Sequence, residues 1–132
     1  MDRDTVLKDL RRIRRLNADI DVLARTIRRL KDQIAFYKQF NRASNAVEHD
    51  LWHFEKIYTA SMEKCIDAEK RYVEPIADLP PLYRAVVIDA YVNGRRIEDI
   101  AAANHYSAPG VKKILAKAVD LICENWQNYC QK

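Results

Sequence analysis

Apolar side chains recur with a seven-residue period along the first third of the chain. Isoleucine opens each of four successive repeats, and a leucine or tyrosine follows three residues later. The residues of this pattern are Ile13, Leu16, Ile20, Leu23, Ile27, Leu30, Ile34 and Tyr37. β-Branched side chains at position a and leucine at position d favour a parallel two-stranded coiled coil. The pattern therefore predicts a long helix whose seam mediates oligomerisation, with a homodimer as the expected state.

The same seam also fits contacts within a single chain. Charges of opposite sign do not pair across the e and g positions that flank it; Arg12 at g, for example, faces Asn17 at e. Coiled-coil dimers commonly use such pairs to select their partner. An intrachain hairpin with the next helix, or a bundle of two hairpins, therefore remains an alternative to the parallel dimer.

Four arginines, Arg11, Arg12, Arg14 and Arg15, form a basic cluster near the start of this helix. Such a cluster could contact phosphates as the basic region of a leucine-zipper protein does. Basic regions precede the heptads, however, whereas these arginines overlap the first repeat. The sequence therefore favours a solvated face for this cluster.

A second helix is predicted after a break at residues 41–45. Ser44 or Asn45 is the expected N-cap, and Glu48 stands where a capping box with Asn45 would need it. Apolar residues then recur in steps of three and four, in a stripe wide enough for more than one neighbour. Pro75 is expected to end this helix. Residues 1–75 are thus predicted to form a helical hairpin or coiled coil that serves as the oligomerisation region.

The composition agrees with an all-α fold. Two glycines and four prolines in 132 residues suit long helices with few turns. Residues 1–42 contain twelve basic and six acidic side chains, whereas residues 43–78 contain four and eight. The two predicted helices can therefore attract each other. The net charge of +4 suits a polyanionic partner. No apolar stretch approaches the roughly 20 residues of a membrane span, so no membrane association is expected.

The chemistry-bearing residues give little indication of catalysis. His49 and His53 lie at i and i+4 on one helix face and resemble the zincin motif, but Asp50 stands where that motif has glutamate. No third ligand follows at a matching spacing, so neither a metal site nor a cofactor is expected. Three cysteines without metal-type spacing predict reduced thiols and a cytoplasmic location. We expect a protein that is not an enzyme.

The last third of the chain has the pattern of a helix-turn-helix. A helix is predicted to open at Leu79-Pro80-Pro81 and to end at Asn93-Gly94, a second is predicted from about Ile97 to Ala103, and a third after Ser107 as N-cap. Ala101 is small enough for two helices to approach closely. Tyr106 is expected to fill a buried position in the turn. Ile100, Val111 and Ile114 are expected to pack between the helices, and residues 79–132 are predicted to form the DNA-binding domain with a helical tail.

These residues resemble region four of bacterial sigma factors over residues 79–122. The matching residues are Leu79-Pro80, Arg84, Tyr91, Gly94, Glu98-Asp99-Ile100-Ala101, Tyr106-Ser107, Val111-Lys112, Ala118 and Leu121. The chain is also similar to phage and prophage late-gene regulators of the RinA and ArpU kind, which join a helical N-terminal half to a sigma-like helix-turn-helix. Two residues depart from the pattern. Arg96 replaces a capping Ser or Thr, and His105 replaces a glycine, which implies a positive φ or an altered turn.

The third helix of this motif is expected to enter the major groove of duplex DNA. The predicted contact residues are Arg95, Arg96, Ser107, Ala108, Pro109, Lys112, Lys113 and Lys117. Lysine contacts phosphate or guanine, whereas alanine and proline can only meet a thymine methyl group. Most of the affinity is therefore expected from phosphate contacts, with modest sequence selectivity per module.

The resemblance implies a sequence-specific transcriptional regulator of phage or prophage type in a bacterial host cell. One alternative is a DNA-packaging component like the small terminase subunit, in which the DNA-binding part usually comes first. Another is a partial sigma-like protein that binds RNA polymerase. The sequence does not define the operator or the sign of regulation.

Overall fold

The computed structural model describes residues 1–130 of the chain, and every regular element in that part is helical. This confirms the predicted all-α class. The helices are α1 (Arg3–Gln39), α2 (Asn45–Lys70), α3 (Val73–Ala77), α4 (Pro81–Val87), a π-helical segment that continues α4 (Ile88–Val92), α5 (Ile97–Asn104), α6 (Ala108–Glu124) and α7 (Gln127–Cys130). Residues 131 and 132, the end of the predicted DNA-binding domain, lie outside the described part.

Helices α1 and α2 form an antiparallel hairpin. Lys38 near the end of α1 pairs with Glu48 near the start of α2, with 3.6 Å between Nζ and Oε1. At the other end of the hairpin, Asn17 donates from Nδ2 to Glu69 Oε1 at 2.8 Å. The predicted attraction between a basic and an acidic helix is thus seen at the loop end. The connection turns at Asn41, which has a φ of 53°.

The heptad seam of α1 faces the inside of the molecule. Its residues are either buried (Ile13, Ile20, Leu30 and Ile34) or half-buried (Leu16, Leu23, Ile27 and Tyr37). Since α2 runs antiparallel along this helix, the intrachain use of the seam is observed. A parallel dimer through the same residues stays a prediction.

The start of α2 agrees with the prediction, whereas the predicted capping box and the predicted end at Pro75 are wrong. Ser44 is the N-cap, but its side chain makes no capping hydrogen bond, and Glu48 pairs with Lys38, so no capping box forms. The helix ends at Lys70 rather than at Pro75. Pro75 instead is the third residue of α3, where a backbone N–H has no partner within the helix and proline is tolerated.

A polar cluster lies inside the hairpin. The Cys65 thiol is within 3.4 Å of both Asn17 Oδ1 and Glu69 Oε1. Burial, followed by the charge and the hydrogen bond of Glu69, raises the pKa of Cys65 to about 11. A shift of α1 against α2 by one turn would separate Asn17 from Cys65 and Glu69 and break both part-buried interhelical hydrogen bonds, which is costly. The cluster therefore fixes the register of the hairpin.

The main hydrophobic core joins the start of α1 to the C-terminal helices. Val6 and Leu10 are fully buried there, and Ile13 nearly so. The remaining core residues are Tyr72, Leu79, Val86, Val87, Ala90, Ile100, Ala101, Val111, Leu115, Ala118, Val119, Ile122 and Trp126. The core therefore runs across the predicted boundary between residues 1–75 and 79–132. The first three turns of α1 pack as part of the C-terminal unit.

Candidate nucleic-acid interface

Helices α5 and α6 pack closely across a short connection. Ile100 and Val111 are fully buried between them, and Ala101 is nearly so. Ile114 is half-buried and packs against the same core. These positions confirm the predicted inward residues, including the small side chain that allows close approach. The opposite side of α6 is left facing outward.

The connection turns on a left-handed residue. His105 has φ 59° and ψ 35°, which confirms the positive φ expected where glycine is usual. The chain then folds back, so that the Tyr106 N–H donates to the carbonyl of Ala101 at 2.9 Å. This 6→1 bond is typical of the Schellman end of a helix.

Tyr106 is not in the buried position that the sequence predicts. Its side chain is 45% exposed. Ile100, Ala101 and Val111 occupy the buried positions at this junction, and the ring of Tyr106 lies outside them. Tyr106 therefore adds a large exposed side chain beside the start of α6.

Ser107 is the N-cap of α6, as predicted. Its Oγ accepts from the Gly110 N–H at 3.1 Å. A Cβ on residue 110 would lie 3.1 Å from the same Oγ, which explains why glycine suits this position. Pro109 stands in the first turn, where its missing N–H costs nothing. Ser107 and Pro109 are exposed and Ala108 is half-buried. The start of α6 is thus held firmly while its tip stays accessible.

The outward face of α6 is lined by lysines. Lys112, Lys113 and Lys117 are all exposed, with the half-buried Ala116 between them. Within the described part of the chain, none of the three forms an ion pair. We call these three residues the lysine face. Their charges are therefore available to an anionic partner.

Unlike the three lysines, the two arginines before α5 each form an ion pair with an acidic neighbour. Arg95 Nη1 lies 3.4 Å from Asp89 Oδ2, and Arg96 Nε lies 3.5 Å from Asp99 Oδ2. Arg96 is the N-cap residue, and its side chain makes no capping hydrogen bond, as expected from its type. Both side chains are exposed, and surface ion pairs of this kind are weak. A phosphate could displace either carboxylate, but the binding free energy gained would be smaller than at the lysine face, because an existing ion pair would be lost.

Arginines of α1 lie nearer to this unit than the sequence indicated. Arg3 Nε lies 3.4 Å from Asp120 Oδ1, on the outward side of α6. Burial raises the pKa of Tyr91, and the positive charges of Arg11, Arg14 and Arg3 lower it. The predicted heptad pattern begins at Ile13, so it did not indicate that the start of α1 is buried or which helices cover it. The neighbourhood of the arginines was therefore missed.

The two histidines of α2 do not belong to a cluster of metal-ligating side chains among the described residues. His49 and His53 are exposed on α2, and His49 stacks on Trp52 with 6.1 Å between ring centroids. Among the side chains that the structure describes in residues 1–130, no group of three or more from His, Cys, Asp or Glu is arranged to hold a metal ion. In the same range, no helix combines the length and apolarity required to cross a membrane.

Comparisons of the chain with protein-family models, with curated proteins and with solved structures found no match. The function is therefore inferred from the residues and geometry of this chain, together with the motif resemblance of residues 79–122.

Proposed function

We propose that this chain binds duplex DNA with α6 in the major groove and acts as a transcriptional regulator of the phage type. The observation that supports this most is the lysine face. Three exposed cations stand on the side of α6 that points away from the core, directly after a capped and accessible helix start. An α-helix of this kind fits the width of the major groove, and α5 packed across it supports its position as in a helix-turn-helix.

The chemistry of the face defines how it would bind. Lysines contribute mainly phosphate contacts, which give affinity that falls steeply with salt. No Arg, Asn or Gln lies on this face, so the bidentate contacts that discriminate bases best are missing. Ala108 and Pro109 at the tip can contact only a thymine methyl group. Each module is therefore expected to have low sequence selectivity, and a homodimer would increase it by binding two half-sites.

The role in transcription is supported by resemblance. The motif of residues 79–122 is similar to sigma region four and to the helix-turn-helix of phage late-gene regulators, and these proteins act at promoters. The same resemblance also implies, as an alternative, a partial sigma-like protein that contacts RNA polymerase. Copurification with polymerase tests this alternative.

The experiment is a salt titration of DNA binding by fluorescence anisotropy, with a labelled 30-base-pair duplex selected by the protein from a random pool. Lys112→Ala with Lys113→Ala should reduce the slope of log K against log salt by about 1.8, since each phosphate contact contributes roughly 0.9. The matched control is Lys31→Ala with Lys64→Ala, which removes two exposed lysines from the hairpin. Equal slopes for both double variants, or no enriched duplex, would refute the proposal. Light scattering of the same samples gives the number of chains in the complex.

A further inference from the structure

Three arginines of α1 lie along one side of the helix, next to its buried stripe. Arg3, Arg11 and Arg14 stand at i, i+8 and i+11, a spacing that places them on one face. Arg3 and Arg11 are exposed and Arg14 is half-buried. We call these three residues the arginine stripe. Val6 and Leu10 are buried in the C-terminal core, so the stripe has a fixed position relative to α6.

One end of the stripe meets the lysine face. Asp120 follows Lys113 by seven residues and Lys117 by three, so it continues their side of α6. The ion pair between Arg3 and Asp120, at 3.4 Å, therefore lies on the same side of α6 as the lysines. It also offsets the acidic side chain that would otherwise repel a phosphate there.

Tyr91 lies near the same three arginines. This side chain is half-buried in the π-helical segment that follows α4. All three arginines lie close enough to lower its pKa, against the raising effect of burial. Arg95 follows four residues later and is exposed before α5. Cations from α1 and from the segment before α5 thus stand on the C-terminal unit together with those of α6.

We propose that the arginine stripe is a second phosphate-binding surface for the duplex that α6 contacts. This inference rests on the proposed function. Guanidinium groups bind phosphate with two parallel hydrogen bonds, so they suit a backbone contact better than lysines do. The Arg3 end of the stripe lies beyond the C-terminal end of the lysine face, so the stripe is expected to contact backbone that flanks the groove occupied by α6. It adds affinity and fixes the orientation of the duplex without distinguishing bases.

The test compares two double variants of equal charge in the anisotropy assay described above. Arg11→Gln with Arg14→Gln should reduce the slope of log K against log salt by about 1.8. If wild type and variant bind equally at 1 M salt, the variant then binds roughly 60-fold more weakly at 0.1 M salt. Arg28→Gln with Arg29→Gln is the control. Arg28 lies on the same helix about 21 Å beyond Arg14, well outside the Debye length of roughly 10 Å at 0.1 M salt. Glutamine preserves helix propensity and part of the side-chain stem.

Footprinting of the duplex locates the contact. Loss of backbone protection at one flank of the footprint in the Arg11 and Arg14 variant, with protection in the groove retained, supports the inference. An equal loss of affinity in both arginine double variants would overturn it, because only net charge would then matter. If the wild-type protein binds no duplex, the proposed function fails as well. If wild type binds and only the Lys112 and Lys113 variant loses affinity, the proposed function stands and the stripe alone is refuted.

Discussion

Leu10 tests how far the C-terminal unit depends on the start of α1. Its side chain is fully buried in the core that includes Val111 and Trp126, although it lies about a hundred residues earlier in the sequence. Replacement of a fully buried leucine by alanine costs about 3 kcal/mol, through lost transfer free energy and the cavity left behind. Proteins of this size are stable by only about 5–15 kcal/mol. With a urea m-value of about 2 kcal/mol/M, Leu10→Ala should lower the unfolding midpoint by roughly 1.5 M.

The assay separates the C-terminal unit from the hairpin. Trp126 is buried and its ring centroid lies 5.4 Å from that of Tyr72, whereas Trp52 is exposed on the hairpin. In a Trp52→Phe background, tryptophan fluorescence therefore monitors the C-terminal core, and circular dichroism monitors all helices. Leu23→Ala is the matched control, because Leu23 is half-buried within the hairpin and should cost about 1 kcal/mol.

Both signals should shift together in Leu10→Ala if the start of α1 belongs to the core. A Trp126 transition at the wild-type urea concentration, with only the circular dichroism shifted, would refute this reasoning. It would mean that the C-terminal helices fold without α1 and that the predicted division near residue 75 describes two independent units. The proposed DNA binding would then be expected of a fragment that lacks the hairpin.

Two further predictions concern single residues. His105→Gly should stabilise the fold by about 1 kcal/mol and raise Tm by roughly 3 °C, because glycine adopts the left-handed conformation without steric cost; a lower Tm in calorimetry would show that the imidazole makes stabilising contacts. Cys65 should react with Ellman's reagent at pH 8 about 100-fold more slowly in the folded than in the unfolded chain, since a pKa near 11 instead of 9 reduces the thiolate fraction by that factor. The neutral thiol is the form that the fold favours, so stability should fall as pH rises from about 9 towards 11, and Cys65→Ser should show a weaker decline over that range. Equal reaction rates in the folded and unfolded chain would contradict the burial of this thiol.

Much of the helical architecture could be predicted from the sequence because its signals are local. The spacing of Ile13, Ile20 and Ile34 predicts a buried stripe, and Ser107 followed by Pro109 predicts a helix start; both are observed. His105 stands where the motif usually has glycine, which predicted either a positive φ or an altered turn, and the positive φ is observed.

The sequence did not predict which helices contact one another, because those contacts form between surfaces that are distant in the chain. The buried apolar residues continue from Ile13 back to Leu10 and Val6 with the same spacing as in the rest of α1. They pack against the C-terminal helices, however, rather than along α2. Periodicity identifies a buried face without naming the element that covers it. Tyr106 was predicted to be buried from its position in the helix-turn-helix frame, but Ile100, Ala101 and Val111 occupy the buried positions at this junction and Tyr106 is exposed. The place of the arginine stripe beside the C-terminal unit follows from the same long-range packing and has no local signal.

The length of α1 gives the molecule a mechanical property. The helix has 37 residues and runs from the C-terminal core to the far end of the hairpin, a span of about 55 Å. The N-terminal end of α1 is buried in the core of the C-terminal unit, which carries the lysine face, and the rest of the helix extends away from it. A tilt of about 10° at the far end would displace the other by about 10 Å, or roughly three base pairs at 3.4 Å each. If two chains bind one duplex as proposed, any contact that sets the angle between their hairpins would also set the distance between the two DNA sites that they occupy.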